Sequence, residues 1–475
     1  MRCFMKRYFL ITKINIRKII IPALIILLPL VIFRRSFSVY FFQDDFFALS
    51  ISEISKLKDL FRFFVPRDDI QFYRPLSVEI YYFINRSLFG LNPLPFHIIG
   101  WLFFFINILL VYSLSSFYLN KKISSLIITL LYATSSIHYD SLFWLANFSY
   151  ILGTTFYFLG FYIYKKYSSK FYAIIFTVFI FGLLSSELLI TLPIVIFFDS
   201  LISREILNKE KIILISGLFL LMAVYLYMRF SLFKVNTESY NFMFGSSALS
   251  SFRFFILFFL NFPETIKDQL INFYSLRKDF FESFPFQTII FTANLLIFPI
   301  LLFFIPISEL VRMRKLGKYL TSNWDTLIFA LSWTIITLIP VIFIQVHFSP
   351  HYGSISLFGF LLLFLILLES LMHKTIQNAV IAAVLSSWIV SSVVTVELNN
   401  EIHWIIRRSE TAKNWLFRIK KEYPNLKQGS TIVIPTDNKD SKVALNDGRA
   451  LKILYNDTSL TVLFQKSLDN KISIK

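Results

Sequence analysis

Apolar runs of about 20 residues, each long enough to cross a hydrocarbon layer of roughly 30 Å as a helix, recur as far as residue 396. No soluble core needs so many. Of the 475 residues, 56% are hydrophobic, 58 are phenylalanine and only 16% are charged, against about 25% charged in soluble domains. So few charges could not wet a soluble globule, and a disordered chain would not be so apolar. The single cysteine, Cys3, excludes an intrachain disulfide framework and a cysteine metal site. The pattern predicts an all-α polytopic membrane protein.

The first run, 19–33, follows Arg2, Lys6, Arg7, Lys13, Arg17 and Lys18. Arg34 and Arg35 come next rather than a small-residue cleavage site, so it reads as a retained span. Further runs at 94–118, 123–138, 148–164, 171–185, 188–203, 211–228, 286–306, 324–345, 352–371 and 376–396 bring the expected spans to eleven. A cytoplasmic N-terminus puts Lys121, Lys122, Lys165, Lys166, Lys170, Arg204, Lys209, Lys211, Arg312, Arg314, Lys315, Lys318 and Lys374 inside. The short outside loops then carry no Lys or Arg, as cytoplasmic enrichment of basic residues requires. The apolar stretch 249–262 is too short to span and fits an interfacial or re-entrant helix. The net charge of +18 is spread among loops on both sides, which disfavours a nucleic-acid partner.

Three sizeable segments fall outside: 34–93, 229–285 and 397–475. Residues 1–396 form the transmembrane domain, and 397–475 read as an α+β module. Within it Trp404–Glu422 predicts a helix, and Thr431–Ile434, Ala450–Tyr455 and Leu460–Phe464 predict short strands. Capping the outside face and holding an acceptor are both open roles for this module.

The chemistry concentrates in the first outside loop. Asp44 and Asp45 stand between Phe41-Phe42 and Phe46-Phe47. Such a pair can simply cap a helix. A carboxylate held against apolar rings also has its pKa raised toward the range of a general base. Neighbouring side chains diverge, so one Asp faces a substrate and the other supports it. Residues 53–64 follow with apolar side chains at helical spacing and predict an interfacial helix. In Tyr73-Arg74-Pro75, proline suits a first helical position, which sets Arg74 beside a helix N-terminus, an arrangement suited to phosphate. No glycine-rich nucleotide loop occurs.

The order of basic N-terminus, first span, outside Asp-Asp, Tyr73-Arg74-Pro75-Leu76-Ser77 and Leu91-Asn92-Pro93-Leu94 resembles the GT-C superfamily of membrane glycosyltransferases. It is more narrowly similar to the transmembrane O-mannosyltransferases with tetratricopeptide repeats and to their prokaryotic relatives. The similarity continues at His138-Tyr139-Asp140 with Trp144, at Ser185-Ser186-Glu187 with Pro193 and Asp199, and at His351-Tyr352-Gly353-Ser354. Departures are Phe148 where many relatives have Arg, Ser186 where they have Lys, and His351 in place of Arg. No tetratricopeptide array follows the spans.

The resemblance implies inverting transfer of a sugar such as mannose from a polyprenyl-phosphate donor to a protein, lipid or glycan acceptor, in a multi-pass prokaryotic plasma-membrane protein. It implies Asp44 as base with Asp45 as partner or alternative base, and Arg74, with His351, at the donor phosphate. Tyr73, His138, Asp140 and Glu187 become site-lining candidates. His138 and Asp140 joining Asp44 would also suit a divalent cation, which some GT-C enzymes use and others do not. The competing readings are a transporter or flippase of lipid-linked glycans and a non-catalytic membrane scaffold.

Overall fold

The computed structural model describes residues 16–474 apart from 55, 68–69, 120, 168, 206–207, 234–244, 270–276, 345–347, 372, 437 and 466–471. The basic residues before Ile16 therefore lie outside the described residues, as do parts of the segment 229–285. The described chain is predominantly helical, with three short strands near its C-terminal end.

Five helices are long and apolar enough to cross a membrane: Pro93–Tyr118, Lys209–Leu232, Pro285–Arg312, Trp324–Ile342 and Lys374–Glu422. A sixth is reached if Ser136–Phe143 and Leu145–Lys166, bent by 112° at Trp144, count as one. The other five expected spans form shorter helices, Ile16–Ile32, Lys122–Ala133, Tyr172–Leu183, Leu192–Ile202 and Ser356–Glu369, of 17, 12, 12, 11 and 14 residues. Their apolar runs are as long as expected, but tight 3₁₀ turns at Ser136–His138, Glu187–Thr191 and Pro350–Gly353 take up their ends. The stretch expected to be interfacial or re-entrant is the 14-residue helix Ser246–Phe259, about 21 Å long and short of a crossing.

Local chemistry sets the packing. Asn92 caps Pro93–Tyr118 by accepting the Leu94 N–H at 3.1 Å, and Pro93 fits the first turn because its missing N–H would have no helical partner there. That helix packs against Phe148–Lys166, and Trp324–Ile342 packs against Ser356–Glu369. At the second crossing a Cβ on Gly359 would lie 2.8 Å from the Ala330 carbonyl oxygen. Glycine is what lets these two backbones approach.

Within Lys374–Glu422 the chain turns at His403 from Lys374–Ile402 into Trp404–Glu422, and beyond it builds a small sheet. β1 (Thr431–Ile434) lies between β2 (Thr461–Phe464), parallel to it, and β3 (Ser473–Ile474), antiparallel. The expected strand at 450–455 is instead the helix Arg449–Tyr455, part of the β1-to-β2 crossover. Parallel neighbours need a crossover, commonly helical, and Ala450, Leu451 and Ile453 bury its inner face. The interfacial helix expected over 53–64 is a 3₁₀ helix, Leu57–Phe64, with Phe61 exposed.

Candidate active site

The segment 34–93 meets the helix Trp404–Glu422 around a cavity of about 530 Å³ with mixed polar and apolar walls. Its wall includes Asp44, Arg74, Trp144, Tyr150, His351 and Arg408. Asp44 opens the helix Asp44–Ile51, and the residue before it, Gln43, has φ 48° and ψ −117°. A non-glycine residue at such angles is strained and persists only where the surroundings hold it. Two contacts do so: the Gln43 N–H donates to the Ala444 carbonyl at 2.9 Å, and Arg408 donates to Oε1 of Gln43 at 2.8 Å. Arg408 also pairs with Asp440 at 3.2 Å. The strained turn aims Asp44 into the cavity.

The two aspartates have different surroundings. The side chain of Asp44 is open to the cavity, although protein surrounds it closely enough that burial raises its pKa, offset in part by Arg408 and Gln43. Asp45 is fully buried and does not line the cavity. Its Oδ1 accepts from the Tyr82 hydroxyl at 2.7 Å and the Ala146 N–H at 2.8 Å, and its Oδ2 accepts from the Phe42 N–H at 3.1 Å. Asp45 thus ties the loop to two other segments and has no face left for a substrate.

Burial pushes the Asp45 carboxyl up to about 7, against those three donors. The unfolded value is about 3.9, so the folded state keeps its proton longer. The stabilising contribution is complete below about pH 4 and is lost as pH rises through 7. Apparent Tm in detergent should therefore fall between pH 5 and 8, and Asp45→Asn should flatten that slope. Equal slopes would show that Asp45 stays ionised throughout.

Arg74 is 7% exposed and lines the cavity, but its charge is already matched. Its Nε donates to Glu187 Oε2 at 2.9 Å, Nη2 contacts Oε1 and donates to Tyr150 at 3.0 Å, and Nη1 donates to Ser149 at 3.0 Å. The adjoining helical turn is no open anion site either, because the Leu76 N–H donates to the Leu184 carbonyl at 3.1 Å. Glu187 lies on the far side of this pair and lines a second, apolar groove of about 560 Å³. That groove is walled mainly by Leu188, Ile190, Ile194, Met222, Leu226 and Ile336. Phe72 and Tyr352 line both spaces. Arg74 and Arg229 both approach the Phe72 ring, at 4.6 and 5.3 Å.

Other expected site residues are placed differently. Tyr73 does not line the cavity; its hydroxyl donates to the Phe64 carbonyl at 2.8 Å, and it packs with Ile70 and Phe233. His138 is buried between Phe104 and Tyr132 and bonds the Tyr132 carbonyl at 3.0 Å, so it is a core histidine and does not join Asp44. Asp140 lies behind the cavity wall with Oδ2 3.1 Å from His351 Nδ1. His351 lines the cavity, but that nitrogen is committed to Asp140 rather than turned toward a phosphate.

Asp140, Glu264 and His403 present ligand atoms within 4.8 Å of one another, close enough to share an ion. Glu264 and His403 are already engaged by each other and by their neighbours. His403 Nε2 donates to Glu264 at 3.0 Å while its Nδ1 accepts the Ile405 N–H at 3.4 Å. Lys267 takes the other Glu264 oxygen at 2.7 Å. Ligation through Nε2 would put the ring proton on Nδ1, against the Ile405 N–H.

Sequence reasoning missed Arg229, Glu264, Lys267, His403, Trp404 and Arg408. For Arg229 a signal existed: it is the lone charge at the C-terminal end of Lys209–Leu232, after an apolar stretch that begins at Ile212, and an ionisable group in such a stretch marks a functional position. Comparison of the chain with family models, curated proteins and solved structures finds no match.

Proposed function

We propose that this chain is a membrane glycosyltransferase that moves a sugar, such as mannose, from a polyprenyl-phosphate donor to an acceptor hydroxyl, with inversion. The observation that carries this reading is the meeting of two unlike spaces. An apolar groove and a more polar cavity share Phe72 and Tyr352, with Arg74 and Arg229 at the junction and the open Asp44 carboxylate in the cavity. A molecule with an isoprenoid tail, a phosphate and a sugar has that same order of chemistry.

In this reading the tail lies in the groove and the phosphate at the junction. Arg229 is the better-placed cation, since Glu187 already neutralises Arg74 and Arg229 Nη1 has no hydrogen-bond partner among the described residues. Asp44 takes the acceptor proton as the glycosidic bond to phosphate breaks, and cationic help stabilises the departing phosphate. The eleven-span arrangement, a cytoplasmic N-terminus and a cavity on the outer side belong to the same proposal. They are supported by the clustering of Lys and Arg in alternate loops.

The test is incubation of purified protein with a panel of polyprenyl-phosphate sugars, scoring release of the carrier phosphate. Release with one of them is expected, and Arg229→Ala should raise the donor KM by about tenfold or more, as expected for a lost charge-assisted contact. No release from any donor, with movement of labelled lipid across proteoliposomes instead, would favour a flippase.

A further inference from the structure

At the Asp44 end of the cavity the wall changes character. Trp144 and Trp404 stand at 87° to each other with ring centroids 5.1 Å apart, an edge-to-face pair that makes a right-angled corner. Both are partly open and both line the cavity. The corner is braced from behind: Phe42 stacks on Trp144 at 5.7 Å and meets Trp404 edge-on at 6.1 Å. Arg408 lies over the Trp404 ring at 5.1 Å. Phe42 belongs to the turn that aims Asp44, so corner and carboxylate share one support. Gln43, Asn147 and Arg408 surround the corner with amide and guanidinium groups.

Flat apolar rings alternating with hydrogen-bonding groups match one ligand class closely. A pyranose presents an apolar C–H face and a rim of hydroxyls, so it can lie against an indole while its edge bonds to neighbouring amides and Asp44. A lipid acceptor would want an apolar wall without these polar groups. An extended peptide would want a row of backbone partners, which the side-chain-lined corner does not offer.

Resting on the proposed transferase reading, we infer that the Trp144–Trp404 corner is the acceptor subsite and that the acceptor is a saccharide. An acceptor hydroxyl then loses its proton to Asp44, and its oxygen bonds to the donor's anomeric carbon as the carrier phosphate leaves. Trp404 is a specificity residue contributed by the helix Trp404–Glu422.

The experiment uses the full-length protein in detergent and two readouts. Saturation-transfer NMR with mannobiose, N,N′-diacetylchitobiose and cellobiose, at about 10 mM for weak binders, needs neither donor nor turnover. Steady-state transfer is then followed with the active donor, comparing those saccharides with a Ser/Thr peptide and a lipid alcohol.

At least one saccharide should bind the wild-type protein. Trp404→Ala should raise the acceptor KM by about tenfold with the donor KM unchanged, and Trp404→Phe should recover part of the loss. If Trp404→Ala does not fold, the wild-type NMR and Trp404→Phe decide the matter. Absence of saccharide binding, transfer to peptide or lipid alone, or an unchanged acceptor KM in the ring-less variant overturns the inference. Saccharide binding without transfer from any donor would leave the subsite standing and sink the transferase reading.

Discussion

Asp44→Asn should abolish transfer, with kcat falling by about 10² to 10⁴, the range supplied by one positioned general base, while the fold survives. The asymmetry between the two aspartates is what makes this separation possible. Asp44 is the one that reaches the cavity, whereas Asp45 is consumed by bonds to Tyr82, Ala146 and Phe42. The asparagine is nearly isosteric and keeps an oxygen for Arg408 or Gln43, so thermal stability should move little. Transfer should also depend on pH in a defined sense. A base must be deprotonated, and the surroundings of Asp44 raise its pKa above the ordinary carboxylate value. The rate should therefore climb with pH through a midpoint higher than about 3.9 and then level off. Full activity in Asp44→Asn would remove the base assignment, and a flat profile down to pH 4 would show that Asp44 is not titrating in the rate-limiting step.

The second large effect concerns the ion pair between cavity and groove. Arg74→Met alone should destabilise the protein by about 1–3 kcal/mol, because it removes the hydrogen bonds and the nearest charge from a half-buried carboxylate. Glu187 lines the groove beside Leu188, Ile190 and Thr191 with its side chain 27% exposed, and Arg229 adds a second positive charge nearby. Combining it with Glu187→Leu should restore most of that stability, since an apolar pair can replace a buried ion pair at little or no cost. Donor turnover should stay low in the double variant if the pair also shapes the phosphate junction. Recovery of both stability and turnover would make Arg74 and Glu187 purely structural and leave the junction to Arg229. Chemical or thermal denaturation together with phosphate release reads both outcomes on one preparation.

Much of this site was written in the sequence, though unevenly. The Asp44-Asp45 pair was conspicuous because charge is scarce and the flanking residues are phenylalanines. Which of the two faces the cavity depends on the backbone angles at Gln43, and a residue string does not carry those. Arg74 was visible for the same reason as the aspartates, but its partner stands 113 positions away, so its charge read as available when it is not. The Asp140–His351 contact spans 211 positions and the Arg408–Gln43 contact spans 365. Periodicity reports only on neighbours within a turn or two, and such pairs leave no trace in it. The segment 450–455 failed for another reason: a six-residue apolar run is ambiguous between strand and helix. Gly448, at φ 92°, settles it in three dimensions, where a Cβ would come within 2.5 Å of Val462. Only glycine lets the chain turn there into the helix beside β2.

The hold of the Ala444 carbonyl and Arg408 on Gln43 has a consequence in time as well as in space. Ribosomes deliver Asp44 early and the residues that fix its direction some 400 positions later. A chain inserted only as far as residue 402 has its groove and its Arg74–Glu187 pair, yet Asp44 is unaimed. On the proposed reading, unfinished or clipped chains would sit in the membrane beside a reactive donor without spending it.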